Sequence, residues 1–361
     1  MACAFRSALW IAMVATAAAE DHRIDVVLKE TACPAALVAV AEPGSPPEIH
    51  SLGQLAPNDE RPLPTDTPMR IGSVTKLFVG TLILRLADDG TLSLDNRISS
   101  YVDGIPGGDT ITLEMLGHHR SGLPDSIRNA AFRKAIVDRP DHLWTPKEIL
   151  EYAFSQKPFF KPGEGFRYSN TNTILLALAA EEASGKKLND LLAKHIYQPL
   201  GLKHTRFPGG TGSSNPDLRA FRHAPKDNPI GYGKVFTDVT HLNASWGHAA
   251  GDMVSTIDDL AKAAPALCSG KLLSDQGKAR LLEWTDTGTD GWRYGFCIEQ
   301  WDGFTGHRGD VPGYSAAAAL GADATAYAIL TNLSNTPEGK SPAALILREL
   351  ARKPAPTKRK D

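Results

Sequence analysis

Cysteine, charge of one sign and long apolar runs are all scarce in this chain, and each scarcity excludes something. Only four cysteines occur among 361 residues: Cys3, Cys33, Cys268 and Cys297. No Cys/His grouping has the spacing of a zinc site, and the adjacent pair His118-His119 cannot put both rings on one helix face. No metal or other cofactor is therefore implied. The 39 Lys and Arg nearly balance the 41 Asp and Glu, leaving a net charge of −2, so no general binding of nucleic acid or another polyanion is expected. No stretch approaches the roughly 18 uninterrupted apolar residues of a bilayer-spanning helix. No internal repeat is found.

What is present begins with a leader. Arg6 is followed by a short apolar stretch, Ala8 to Ala15, and by Ala17-Ala18-Ala19 before Glu20 and Asp21. A positive start, a short apolar core and a small-residue end describe a signal peptide over residues 1–19, so a periplasmic or secreted location is expected. Its removal leaves Cys33, Cys268 and Cys297, an odd number that allows at most one internal bridge. At the other end, residues 353–361 form a basic, proline-containing tail expected to be disordered.

Between these ends the periodicity changes twice. Ala35–Ala41 and Glu48–Gly53 read as a hairpin. Leu77 to Ala87 is apolar nearly all round, the mark of a central helix. Helices are expected at 112–118, 130–135, 146–154, 173–183, 188–196 and 256–267, and a surface loop at 207–228. Short runs at 294–301, 305–309, 314–320 and 325–331, divided by Gly and Asp, read as an antiparallel meander, and residues 341–350 as a closing helix. Strands at both chain ends with helices between them imply one α/β (α+β) domain over residues 20–352. Its antiparallel sheet is built from both ends, and residues about 91–205 form a mainly helical second lobe.

Three short stretches carry chemistry. Ser73 and Lys76 open the central helix three residues apart, so both side chains share a face. Serine at a helix start is commonly a cap, followed three residues later by an acid. Here a lysine stands in that place, against the helix dipole. Positive potential and burial both lower a lysine pKa, which suits a base beside a nucleophilic hydroxyl. A second pair with this spacing, Ser184 and Lys187, lies at a Gly-Lys-Lys turn and reads as surface. Tyr168-Ser169-Asn170 follows a Pro-Gly-Glu-Gly turn. Its phenol can carry a proton, and Asn170 or Asn172 can cap the next helix. Gly306-His307-Arg308-Gly309-Asp310 lies on an expected strand, where glycine weakens pairing unless a ligand or another backbone comes close. Gly309 is accordingly a candidate for substrate pairing at a sheet edge.

Ser-x-x-Lys, then Tyr-Ser-Asn, then His-x-Gly, in this order, resembles the penicillin-recognising serine hydrolases: serine DD-carboxypeptidases, class C β-lactamases, D-aminopeptidases and related esterases. Leu86–Tyr101, Ile111–Pro124 and Ser245–Leu260 are similar to further segments of that family, so the resemblance covers nearly the whole chain after the leader. It implies an acyl-enzyme mechanism without a cofactor. Ser73 would be the nucleophile, Lys76 its proton-accepting partner, Tyr168 a proton relay acting with His307, and Asn170 a substrate contact. The backbone N–H groups of Ser73 and Asp310 would form the oxyanion hole, and Trp246 would line the site. Whether Lys76 or Tyr168 is the base stays open. The chain departs from the family at Arg308, where threonine is usual. Either Arg308 reads a substrate carboxylate, or the substrate is an amide or ester without one. The expected activity is D-alanyl-D-alanine carboxypeptidase-like hydrolysis. Amidase, esterase and β-lactamase activities are the alternatives, and a non-hydrolytic penicillin-binding sensor is the rival of another class. Small peptides, such as peptidoglycan-derived ones, amides or esters as substrates, and acylating β-lactams are the expected partners.

Overall fold

The computed structural model describes residues 20–208, 218–225, 230–231 and 233–352. The leader, the basic tail and the middle of the 207–228 loop lie outside the described residues. Eight antiparallel strands form the main sheet: β1 (Ala35–Ala41), β2 (Glu48–Gly53), β3 (Thr285–Thr289), β4 (Trp292–Tyr294), β5 (Glu299–Trp301), β6 (Phe304–Val311), β7 (Tyr314–Leu320) and β8 (Ala326–Thr331). Their spatial order is β2-β1-β8-β7-β6-β5-β4-β3. The first hairpin thus joins the C-terminal meander through β1 and β8, with Ala36 opposite Thr331 and Ala41 opposite Ala326.

Both faces of the sheet are covered, which is why its central strands read as unbroken apolar runs. On β1, Leu37 and Ala39 join a core shared with the helical lobe, while Ala36 and Val38 face the opposite way. That second face is covered by a helix over residues 20–31 and by the C-terminal helix Pro342–Ala351. The first of these adds an element to the expected set. Its stripe Ile24, Val27, Leu28 has helical spacing but is short and directly adjoins the leader.

The run at 294–301 does not form one strand. It splits into β4 and β5 because Phe296, Cys297 and Ile298 leave the sheet and enter the core, with Cys297 in a left-handed conformation (φ 57°). The Cys297 N–H donates to Gly117 O at 2.9 Å, and its side chain packs against Gly80 of the central helix. β3, absent from the sequence reading, is polar and largely exposed, and extends the sheet at its edge. Cys33, Cys268 and Cys297 are all buried and free, so the single possible bridge is not formed.

The central helix, Thr75–Asp88, is buried on nearly every side. It packs against the helix Asn170–Ser184 in the lobe formed by Leu113–Gly117, Ala130–Asp138, Pro146–Phe154 and Leu188–Leu192. The expected loop after residue 207 contains a short strand, Phe221–His223, paired with Phe236–Asp238.

Candidate active site

Two glycines let a turn and a strand meet. Residues Gly72–Val74 form a 3-10 turn that leads into the central helix, and Gly72 has a positive φ of 51°. β5 pairs with β6 only over Phe304–Gly306, so beyond that point the turn, not a strand, abuts β6. A Cβ on Gly309 would lie 2.0 Å from Ile71 O, and one on Gly72 would lie 2.8 Å from the Asp310 nitrogen. Side chains are thus excluded from both backbones at their contact. Gly309 permits this approach and is not among the residues lining the cleft. Ser73 and Asp310 both line it, in a space of about 630 Å³ shared with Tyr168, Asn170, Trp246 and Val311.

Ser73 is not at a cap position: Ile71 precedes the turn and Val74 precedes the helix. Its hydroxyl instead meets Lys76, whose Nζ lies 3.0 Å from Ser73 Oγ, 2.8 Å from Asn170 Oδ1 and 2.6 Å from Ala250 O. Lys76 is 0 % exposed. Burial lowers its pKa to about 7, against the opposing pull of Asp125, Cys297 and Glu299. Proton positions follow from the partners. Ala250 O can only accept. Asn170 Nδ2 donates to the buried Asp125 carboxylate at 3.2 and 3.4 Å, so its Oδ1 is turned to Lys76 and also accepts. A neutral lysine has two N–H groups and one lone pair. With both N–H groups committed to these two oxygens, the lone pair is left for the Ser73 O–H. Asp125 therefore orients the amide that orients the amine.

Asn170 and Asn172 do not cap the helix they begin. Ser169 occupies the cap position, but its Oγ donates to Pro124 O at 3.2 Å and makes no capping bond, while Asn172 accepts from Ser121 Oγ at 2.6 Å and donates to His119 Nδ1 at 2.8 Å. Burial holds the pKa of the Tyr168 phenol, which sits against Ser73, well above 10. Its ring has Lys76 Nζ 5.0 Å from its centre and lies 4.5 Å from the His119 ring, tilted by 37°.

Two expected site residues lie outside the cleft lining, although the His307 ring is 6.2 Å from that of Tyr168. His307 does not line the cleft. It is buried, with Nε2 3.0 Å from Tyr294 Oη and Nδ1 2.6 Å from Arg308 O. Both ring nitrogens are engaged, and burial holds its pKa down at about 4. The geometry leaves no free nitrogen for protonating a leaving group together with Tyr168. Arg308 also lies outside the cleft lining. Side chains alternate along a strand, so Arg308 points away from the face that carries His307. Its Nε donates to Glu299 Oε2 at 2.8 Å and its guanidinium covers the Trp301 ring at 4.9 Å. Arg308 is thus not positioned as a carboxylate reader. The cleft's own cations, Arg128, Arg133 and Arg222, together with Asp125, were not among the candidate residues. Asp125 directly follows the Ile111–Pro124 segment, and that adjacency was the available signal.

The profile of the Beta-lactamase family matches residues 18–351. D-alanyl-D-alanine-carboxypeptidase/endopeptidase AmpH of Escherichia coli (strain K12) is 34% identical over 202 residues, 52% of this chain and 50% of that protein. Penicillin-binding protein 4* of Bacillus subtilis (strain 168) is 30% identical over 175 residues, 47% of this chain and 37% of that protein. The alignments span half or less of the length of these relatives. Among solved structures, a D-stereospecific amidohydrolase from Streptomyces sp. superimposes with a TM-score of 0.81 at 24% identity, over 94% of this chain and 99% of that one. D-amino acid amidase from Ochrobactrum anthropi SV3, complexed with L-phenylalanine, gives 0.77 at 26% identity, over 91% and 96%. With the family profile covering nearly all of it, this chain belongs to the Beta-lactamase family, the penicillin-recognising serine hydrolases.

Proposed function

We propose that this protein is a serine hydrolase that forms an acyl-enzyme on Ser73 and acts on short peptides ending in D-alanyl-D-alanine or a similar D-residue. The observation that carries this is the Lys76 amine, buried, with a pKa of about 7 and its lone pair left for the Ser73 hydroxyl. Lys76 takes the Ser73 proton as Oγ attacks the carbonyl. The backbone N–H groups of Ser73 and Asp310 hold the oxyanion, each such donor being worth roughly 2.7–4 kcal/mol to the transition state. Tyr168, a protonated phenol at neutral pH, is a proton donor before it is a base, and it passes a proton to the leaving amine. Water then attacks the ester and regenerates Ser73. Asn170, fixed by Asp125, touches the substrate amide, and Trp246 lines the pocket.

AmpH, named as a D-alanyl-D-alanine-carboxypeptidase/endopeptidase, supports the peptide reading. A second reading, hydrolysis of D-amino amides, is favoured by the position of Arg308, which leaves the third-motif strand without a carboxylate reader. The completed Ser73–Lys76–Asn170 constellation argues for turnover over a sensor that only becomes acylated. We further propose export to the periplasm or beyond, on the strength of the 1–19 leader. N-terminal sequencing of the exported protein should begin at Glu20.

The test is hydrolysis of a D-Ala-D-Ala peptide, a D-amino amide, a p-nitrophenyl ester and a chromogenic cephalosporin by wild type and Ser73→Ala. Ser73-dependent release of D-alanine as the fastest reaction is the expected result. Labelling by a β-lactam without turnover of any substrate would establish the sensor. Absence of both labelling and turnover would refute the nucleophile assignment.

A further inference from the structure

Beneath the Tyr168 ring runs a chain of buried hydrogen bonds that the proposed reaction does not use. Ser121 Oγ donates to Asn172 Oδ1 at 2.6 Å, and Asn172 Nδ2 donates to His119 Nδ1 at 2.8 Å. The backbone N–H of Ser169 reaches the same nitrogen at 3.3 Å. His119 Nε2 lies 3.2 Å from Tyr294 Oη, which lies 3.0 Å from His307 Nε2, and His307 Nδ1 lies 2.6 Å from Arg308 O.

Backbone groups at both ends set the direction of this chain. An N–H can only donate, so His119 Nδ1 accepts and its proton is on Nε2. A carbonyl can only accept, so the proton of His307 is on Nδ1 and Nε2 accepts. The Tyr294 hydroxyl between them accepts from His119 and donates to His307. Every donor is matched to an acceptor only while both imidazoles are neutral. A proton added to His307 Nε2 would face the Tyr294 hydroxyl hydrogen, and one added to His119 Nδ1 would face two donors. The titratable groups that act on His307 are Glu299, whose Oε1 lies 4.0 Å from Nδ1, Lys76 and Arg308, and those that act on His119 are Lys76, His307 and His118. His119 is fully buried and held in the left-handed region at φ 54°, which is costly for a residue with a side chain. Its ring lies 4.5 Å from that of Tyr168 and 4.7 Å from that of Tyr294.

We infer that His119 and Tyr294 are positioning residues that lock His307 in its neutral Nδ1–H form and fix the Tyr168 ring against Ser73 and Lys76. The inference rests on the Ser73–Lys76–Tyr168 reading for its catalytic consequence, but not for its chemistry. Locked in this way, the two histidines add no positive charge beside Lys76, so the amine titrates as one group. The backing also holds the Tyr168 phenol where a proton must be handed on.

Nitrogen-15 NMR of histidine-labelled protein reads the lock directly. In the wild type, His307 should show a protonated Nδ1 and an unprotonated Nε2, with no titration between pH 5 and 8. Tyr294→Phe keeps the ring and removes the link. His307 should then take up a proton at a higher pH than in the wild type, and kcat should fall about tenfold, the worth of one ordinary hydrogen bond, with KM nearly unchanged. His119→Gln, which retains an acceptor and a donor, should keep more activity than His119→Ala. An Nε2–H tautomer in the wild type, or a Tyr294→Phe enzyme with wild-type kcat and a His307 titration unshifted from the wild type, overturns the inference. If Ser73 proves not to be acylated at all, the proposed function fails while the tautomer measurement still decides the lock.

Discussion

The turn and helix start that carry Ser73 and Lys76 and the β6 segment His307–Asp310 meet beside one cleft, yet they handle neighbouring side chains in opposite ways. On the helix, residues three apart share a face, so Lys76 reaches Ser73 at 3.0 Å. On the strand, residues one apart point to opposite faces, so Arg308 leaves the cleft for Glu299 and Trp301 while His307 turns inward to Tyr294. A spacing of three on a helix is strong evidence of contact. Adjacency on a strand is evidence against it. What the strand contributes to the cleft is backbone, and the glycines at 72 and 309 make that possible.

The largest expected effect lies on the helix side. Lys76→Arg preserves charge and length, but a guanidinium has no accessible neutral form. kcat/KM should fall at least about 10³-fold, because a nucleophile and its base act as a unit. Steady-state kinetics showing less than a tenfold loss would remove Lys76 as the base.

The strand side breaks through its backbone. In Gly309→Ala the new Cβ meets Ile71 O at 2.0 Å, so β6 and the Gly72–Val74 turn must separate. A displacement on the order of 1 Å costs about 10²-fold in rate, and the thermal midpoint should fall with it. A variant with wild-type kcat would show that the close approach is dispensable.

Next comes pH. Lys76 accepts a proton only when neutral, so kcat/KM should rise with pH through about 7. Stability moves in the same direction. The unfolded lysine keeps its proton to roughly 10.4, the folded one releases it near 7, and between those values the unfolded state binds more protons, so this group makes stability increase with pH. A pH–rate profile flat across the neutral range would count against the neutral amine.

The smallest effect on turnover is expected at Arg308. Arg308→Thr breaks the pair with Glu299, whose carboxylate is buried at 7 % side-chain exposure, and should cost about 1–3 kcal/mol in urea unfolding. Turnover of carboxylate-bearing and neutral substrates should change in parallel. A selective loss on the carboxylate-bearing substrates would return Arg308 to the site and undo the contrast between helix and strand.

The strand hairpin at the start, the all-round apolar helix, the helical middle and the closing meander are legible in the sequence because each is set by local period and by the residues that punctuate it. So is the pairing of Ser73 with Lys76, since helix geometry alone brings them together. The nature of that pairing was less so. Asp125, Asn170 and Ala250 come from three distant stretches: Asn170 and Ala250 accept from Lys76 Nζ, Asp125 orients Asn170, and burial lowers the pKa of the amine. His119 and Tyr294, 175 positions apart, could not be recognised as partners from spacing. The run at 294–301 read as a single strand because an apolar stretch has the same appearance whether it stays in a sheet or dives into a core. Local periodicity, which depends on near neighbours, determined the elements and the Ser73–Lys76 contact. Which side chains enter the cleft, which way Arg308 points and where the protons lie were decided by tertiary structure, because burial, hydrogen-bond partners and strand facing are properties of residues brought together from far along the chain.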